Sequence, residues 1–277
     1  MPAEGDEMHS PNGPARDDAA QTAAAVLERL RNAAPRVHCI TNSVAQNFTA
    51  NVLLAAGAVP SMTLSGEEIG AFVARSHALL VNLGTFDRER REATSIAVDA
   101  ATQNGLPWVL DPVFVDRAEQ RAEYARDLIF LGPKAIRLNH AEFLALAGAA
   151  PSDEAVAAYA RDKNTVIGLS GKVDLITDGA RLATIANGDA LMAKVTAMGC
   201  AASALVAACH AVEPDAWRAT AAGLIIVGVA GQLAAAKASG PGSFAVAILD
   251  ELHNLDERKL IAQARIDLAR LEIAKAN

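Results

Sequence analysis

Apolar and polar positions along this chain follow two rhythms that take turns. Short apolar runs at Arg36–Ile40, His77–Asn82, Pro107–Leu110, Ala135–Arg137 and Thr165–Leu169 have the length and aliphatic content of buried strands. Between them the spacing lengthens to a helical period. A helix is expected from near Asp18, with Ala25, Leu27 and Leu30 on a partly apolar face. Others are expected through Leu53-Leu54, over Arg88–Gln103, and after Asn139 in a segment carrying Glu142. Val173–Thr177 and Arg181–Ile185 flank Asp178-Gly179, which signals a hairpin. From Cys200 onward the pattern is mostly helical. Its last stretch, Leu252–Asn277, sets Leu260, Ile261, Ile266, Leu268, Leu271 and Ile273 among charges and predicts a packed amphipathic helix. The alternation as a whole predicts an α/β fold, with a largely parallel central sheet covered by helices on both faces. Residues 1–19, rich in Gly, Pro, Asp and Ser, read as a disordered tail, and residues 20–277 as one doubly wound domain.

Composition sharpens this picture. Hydrophobic residues make up 52% of the 277 positions but aromatics only 4%, so Ala, Val, Leu and Ile must build the core, which favours closely packed helices on a sheet. A formal charge of −7 argues against a broad nucleic-acid or anionic-membrane surface. An anionic ligand would therefore rely on backbone amides, one or two basic groups and a metal. Cys39, Cys200 and Cys209 are too irregularly spaced for a disulfide framework or a zinc site and suit a reducing cytosol. Met1–Ala19 lacks the basic and apolar regions of a signal peptide. Ala221–Gly231 is apolar but rich in Gly and Ala, which fits a buried helix better than a membrane span.

Candidate chemistry gathers at the strand ends, where doubly wound folds bind ligands. Asn42, Asn82 with Thr85, Asp111, Arg137 with Asn139 and Glu142, and Ser170 with Gly171 all follow expected strands. Each alone reads as a turn or a helix cap; their recurrence is harder to attribute to capping. Asp111 and Glu142 suit a Mg²⁺ ion held directly or through water. Arg137 suits a phosphate, and Ser170 a hydrogen bond to one. Ala197-Met198-Gly199-Cys200 forms a small-residue turn into an Ala-rich helix, and the free amides of a first helical turn cradle negative charge. The same field is expected to lower the pKa of Cys200, placing it to accept a hydroxyl proton or to orient the hydroxyl. The alternative reading is an ordinary core helix with a buried cysteine. His140 and Cys39 read as packing or hydrogen-bonded structure. Together these residues point to phosphoryl transfer onto a small molecule rather than to hydride transfer.

Beyond single sites, Val37–Asn42, Gln46–Asn51, Leu53–Ala58 and Pro60-Ser61-Met62 form a block that resembles the opening of hydroxyethylthiazole kinases. The resemblance continues through Asn82–Thr85, Trp108–Val113, Arg137-Leu138-Asn139 with Glu142, Ser170–Asp174, Thr177-Asp178-Gly179, Met192–Cys200 and Gly240–Phe244. It implies a ribokinase-like enzyme of thiamine salvage that moves the γ-phosphate of ATP, with Mg²⁺, to 4-methyl-5-(2-hydroxyethyl)thiazole. It also implies a cytoplasmic homotrimer with the thiazole site at the subunit interface. Met62 matches a thiazole-contacting methionine, Ala197 a substrate-contacting glycine position, and Asn42 lies in the same substrate-side block. Arg137, with Asn139 in its motif, matches an ATP-contacting arginine, and Ser170 stands where a threonine contacts ATP. Asp111 and Glu142 match the acidic positions linked to the metal, Ala197–Cys200 the anion hole, and Cys200 the place of the catalytic base.

Four departures stand out. Ala197 replaces the first glycine of the turn, Leu138 a glycine, Lys172 a glutamate, and Phe114–Arg117 a small, Gly-containing stretch. They leave two further expectations open: a kinase for another small heteroaromatic alcohol, and a catalytically silent thiazole-binding protein.

Overall fold

The computed structural model describes residues 14–270. Its elements run α1 (Pro14–Ala33), β1 (Arg36–Ile40), α2 (Gln46–Ala56), β2 (Val59–Ser61), α3 (Ile69–Ala74), β3 (Ala78–Asn82), α4 (Arg88–Gln103) and β4 (Trp108–Asp111). They continue with α5 (Glu119–Phe130), β5 (Ala135–Asn139), α6 (His140–Ala147), α7 (Asp153–Lys163), β6 (Val166–Ser170), β7 (Asp174–Thr177) and β8 (Arg181–Ile185). A 3-10 turn (Ala190–Lys194) leads to α8 (Met198–His210), α9 (Ala216–Ala235), α10 (Pro241–Asn254), α11 (Glu257–Gln263) and β9 (Ile266–Arg270).

The strands form one sheet in the order β2-β1-β3-β4-β5-β6-β7-β8-β9. Strands β1 to β6 are parallel, and β6 to β9 pair antiparallel. The largely parallel α/β architecture is as the alternation predicts. Side chains on successive strand positions go to opposite faces, and the core divides accordingly. Val37, Cys39, Leu80 and Val109 join the cluster of α1, α2, α8 and α9, while Ile40, Leu79, Val81 and Leu110 join the cluster under α4, α5 and α7. Low aromatic content shows in the helix packing. A Cβ added at Gly223 of α9 would stand 2.8 Å from the Val206 Cα of α8, so the two helices pack almost backbone to backbone. Helix α9 is long and apolar enough to cross a membrane by length and composition; here most of it is buried against α1, α8 and α10.

Several expectations need correction. Helix α1 begins at Pro14, so residues 14–19 belong to it rather than to a tail; residues 1–13 lie outside those described. Ala25 is exposed, and the buried face of α1 runs instead through Ala20, Ala23, Ala24, Leu27 and Leu30. The C-terminal stretch is not one helix. Its Ile266 and Leu268 alternate at the strand period, and Ile266–Arg270 closes the sheet as β9, in register from Ile185↔Ile266 to Arg181↔Arg270. Residues 271–277 lie outside the described part, so the readings of Leu271 and Ile273 do too. Strand β2 is short and carries Pro60, which an edge position tolerates because its missing N–H leaves no ladder bond unmade.

Two histidines are sealed in. His210 in α8 meets the Thr220 hydroxyl at 3.1 Å, and that hydroxyl donates to the Ala216 carbonyl, so His210 Nε2–H is the donor. Burial holds both His210 and His38 at about 4, well below the usual 6.5. The unfolded chain takes up these protons as pH falls through 6.5, while the folded chain resists until about 4. Each therefore removes on the order of 3 kcal/mol of stability across that window. Replacing His210 by Gln, which keeps a donor toward Thr220, is expected to shrink the loss of Tm between pH 7 and 4.5. Equal acid sensitivity of the two proteins in thermal melts would contradict this origin.

Candidate active site

Parallel strands put their carboxyl ends on one edge of the sheet. The chain leaves β1 for β2 on one side and for β3 on the other, so a crevice opens between the ends of β1 and β3. Asn42 follows β1 and Asn82 ends β3. They close on each other over Gly84, where an added Cβ would lie 2.6 Å from Asn42 Nδ2 and 2.9 Å from Asn82 Oδ1. Only glycine fits that gap.

Backbone bonds aim both amides. Ala45 N–H donates to Asn42 Oδ1 (2.9 Å), which turns Asn42 Nδ2 toward the Cys200 thiol at 3.2 Å. Gly84 N–H donates to Asn82 Oδ1 (3.0 Å), which turns Asn82 Nδ2 toward Asp111 Oδ2 at 2.7 Å. Asp111 ends β4, and the Ser203 hydroxyl of α8 donates to the same Oδ2 at 2.8 Å. Two donors on one oxygen fix the carboxylate plane. Burial raises the pKa of Asp111, offset in part by Arg137, Ser203 and Asn82.

Glu142 sits at the third position of α6 in a capping box. Its Oε2 accepts from Asn139 N–H (2.9 Å), its Oε1 from Phe114 N–H (3.1 Å), and Asn139 Oδ1 accepts from Ala141 and Glu142 N–H in return. Glu142 and Asn139 thus carry the capping duty that the sequence offers as the plainer reading of these positions. Burial and the nearby Asp111 charge raise the pKa of Glu142. No group of three or more His, Cys, Asp or Glu side chains that could cage a metal exists among the described residues. The two carboxylates instead suit a hydrated cation that keeps most of its waters and takes further ligands from phosphate, the usual habit of Mg²⁺. A cation there would also offset the charge repulsion that raises Glu142.

Across the site, Arg137 of β5 lies over the first turn of α8: a Cβ on Gly199 would stand 2.9 Å from its Nη1. The Arg137 Nε is buried with no hydrogen-bond partner, and so is the Ser170 hydroxyl on neighbouring β6. Buried donors without acceptors are rare in folded proteins, and here Arg137, over the first turn of α8, and Ser170 stand on adjacent strands. Asn139 and Ser170 face each other in the β5–β6 register.

Ala197 caps α8 with φ 69°, inside the left-handed region, and offers no side-chain acceptor to the first-turn amides. The glycine-like backbone is therefore kept although the residue carries a Cβ. Phe114 is also left-handed (φ 63°), with half its surface exposed, at the loop that holds Glu142. Leu138 is fully buried in the core beneath α4, α5 and α7, and Lys172 is exposed. Met62 follows β2 and packs, half-buried, against the α2 and α8 side of the sheet.

The Cys200 expectation is overturned in direction. Burial, then the Asp111 charge, pushes the thiol up to about 11, outweighing the Asn82 and Asn42 donors and Arg137. Cys39 is packing, buried in β1 with its thiol raised to about 12. His140 rests against Gly171, where a Cβ would lie 2.8 Å from its Cε1. The sequence marks Asn82 only as one of the polar strand ends and gives Ser203 no place among the candidates. The available signal was helical spacing: Ser203 lies one turn after Cys200 and Gly199, on the same face of an otherwise apolar helix.

Residues 27–258 match the model of the hydroxyethylthiazole kinase family. A protein of Agrobacterium fabrum named probable hydroxyethylthiazole kinase is 43% identical over 248 residues, covering 90% of this chain and 96% of its own. The solved hydroxyethylthiazole kinase protein of Pyrococcus horikoshii superposes with a TM-score of 0.85 at 33% identity, over 90% of this chain and 99% of that one. A ribokinase-like superfamily protein of Enterococcus faecalis, at 11% identity, covers 87% of this chain and 95% of its own with a TM-score of 0.67, and shares the fold.

A non-glycine residue held left-handed costs roughly 1–2 kcal/mol, part of which glycine gives back through its freer unfolded state. Ala197→Gly is therefore expected to stabilise the fold by about 0.5–1 kcal/mol in denaturant unfolding. A loss of stability would mean that the Ala197 methyl packs favourably enough to outweigh its backbone strain.

Proposed function

The chain belongs to the hydroxyethylthiazole kinase family, and from that premise we propose that it moves the γ-phosphoryl group of ATP, with Mg²⁺, onto the hydroxyl of 4-methyl-5-(2-hydroxyethyl)thiazole in thiamine salvage. One observation carries the site assignment: Arg137, whose buried Nε has no partner, lies over the first turn of α8 that bears Cys200, and the unpartnered Ser170 hydroxyl stands on the neighbouring strand.

In this reading Arg137 and Ser170 bind ATP phosphates, with Asn139 at the edge of the same subsite. The amides of Met198, Gly199 and Cys200, with Ala197 shaping the turn, stabilise the charge on the transferring group. Met62 and Asn42 bound the alcohol side. Asp111 and Glu142 hold Mg²⁺, partly through water, and the bound ion neutralises phosphate charge. Cys200 orients the hydroxyl. With the thiol at about 11, only a minute fraction is thiolate at neutral pH, which disfavours it as a base. A loose phosphoryl-transfer transition state asks little of a base, because the attacking hydroxyl keeps its proton until late.

We further read the protein as a cytoplasmic homotrimer with the alcohol site at the subunit interface. Three features support this. The three cysteines are free. Strand β2, beside Met62, is the last strand on its edge of the sheet. A hollow of ≈ 600 Å³ borders that edge, lined by Val59, Pro60, Ser61 and Phe72 among others. The silent-binder alternative turns on Ala197, which stands where the family has the first glycine of the turn. The retained left-handed angle at that residue favours an intact anion hole instead.

The deciding assay is coupled ADP release from Mg·ATP with and without hydroxyethylthiazole. Thiazole-dependent turnover is expected. Turnover only with a pyrimidine or pyridoxine-like alcohol would replace the substrate, and thiazole binding without any affinity for ATP would make the protein a binder. Cys200→Ala is expected to lower kcat by about tenfold, well short of what removal of a base costs. A loss of a thousandfold would restore the base role. Arg137→Ala is expected to raise the KM for ATP by roughly 10–100-fold, with the KM for the alcohol little changed, since a charge-assisted bond to phosphate is lost. The reverse pattern would contradict the assignment.

A further inference from the structure

His38 lies in the middle of β1, opposite Ser61 of β2, and is fully buried. Its Nε2 is 3.1 Å from the Thr63 carbonyl, and its Nδ1 is 2.8 Å from the Ser61 hydroxyl. A carbonyl only accepts, so the ring proton is on Nε2, and Nδ1 accepts from the Ser61 O–H. The neutral ring therefore binds the residues on both sides of Met62 and leaves Met62 itself untouched.

The alternation of side chains gives this pair of bonds a direction. Ser61 and Thr63 are drawn to the face of the sheet where His38 sits, with the Phe72 ring of α3 centred 6.2 Å from the imidazole. The residue between them goes to the other face, and there Met62 packs against the cluster that contains α2 and α8. Helix α8 carries Cys200 on that same side. Strand β2 ends at Ser61, so beyond it no sheet ladder holds the chain at Met62. The Thr63 hydroxyl donates to Glu68, which ties the far end of the same short segment to the start of α3.

We propose that His38 is a positioning residue for the alcohol substrate: its two hydrogen bonds clamp residues 61 and 63 and so present Met62 toward the site on α8. This rests on the reading of Met62 as a substrate contact. Burial holds the ring at about 4, so the neutral form and both bonds persist throughout the pH range in which a kinase is assayed.

The test is steady-state kinetics on the full-length protein with hydroxyethylthiazole and Mg·ATP, comparing His38→Ala, His38→Gln, Ser61→Ala and Met62→Ala. Loss of a buried hydrogen bond that orders a contact is expected to raise the KM for the alcohol about tenfold in His38→Ala, with kcat and the KM for ATP within about twofold. Gln keeps an N–H that can reach the Thr63 carbonyl, so His38→Gln is expected to recover part of the loss. Ser61→Ala, the milder change, is expected to raise the alcohol KM a few-fold and keeps the test valid if His38→Ala does not fold. Met62→Ala should raise the alcohol KM with the same selectivity. If Met62→Ala does so while His38→Ala and Ser61→Ala do not, the clamp is wrong and Met62 remains a substrate contact. If Met62→Ala has no effect either, the substrate-side reading fails along with the clamp. An equal rise in both KM values on His38→Ala, unrelieved by Gln, would reduce His38 to a structural residue.

Discussion

Asp111 ends β4 as a residue only 2% exposed, and a carboxylate taken that far out of water has to be surrounded by donors. They arrive from two directions. Asn82 reaches it along the sheet from β3, and Ser203 reaches it from above, out of α8. That shared oxygen fastens the first turns of α8 to the carboxyl ends of the strands. Everything proposed for the chemistry hangs on the placement: the left-handed Ala197, the amides that follow it, the Cys200 thiol, and Arg137 lying over Gly199. The same bonds leave the other carboxylate oxygen available for water or a cation.

Close approach is the second constraint. Gly84 leaves room for Asn42 and Asn82 to meet, Gly199 lets the Arg137 guanidinium lie against α8, and α8 packs on α9 because residue 223 has no side chain. A core of Ala, Val, Leu and Ile makes such distances practicable, since small side chains let helix axes approach each other and the sheet. Among the described residues four non-glycines are held left-handed; Ala34 and Asn164 precede β1 and β6 at the amino ends of the strands, and the other two stand at the rim of the site. Ala197 and Phe114 are held left-handed where glycine would rest without cost, and both border residues assigned to phosphate or metal. Leu138, by contrast, is absorbed in the apolar core, where it has no bearing on the site.

A feature of opposite sign governs Cys200. A helix N-terminus lowers a thiol pKa when the thiol remains hydrated. At this position burial and the neighbouring Asp111 charge act in the other direction and win. The thiol is therefore a neutral hydrogen-bonding group that accepts from Asn42 Nδ2, and the role proposed for it is to orient the hydroxyl. Such a role is consistent with a reaction in which placement and charge stabilisation supply most of the acceleration.

The amino-acid sequence by itself determined the α/β class, most strand positions, the gathering of Asn42, Asp111, Arg137 and Ser170 at one edge, and the family. These follow from hydrophobic periodicity and short motifs, which are local and survive without coordinates. The tertiary structure alone decided the rest. Ile266–Arg270 became a strand because β8 offered it a partner edge, although the charge pattern also suited a helix. Glu142, a local cap with Asn139, also came to hold the Phe114 loop through its other oxygen, 28 positions away. Asn82, Ser203 and Gly84 joined the site, and the Cys200 pKa moved up rather than down, because hydrogen bonding and ionisation depend on burial and on distances between residues far apart in the chain. Asn42 and Cys200 are separated by 158 positions, and only the folded sheet brings them to 3.2 Å.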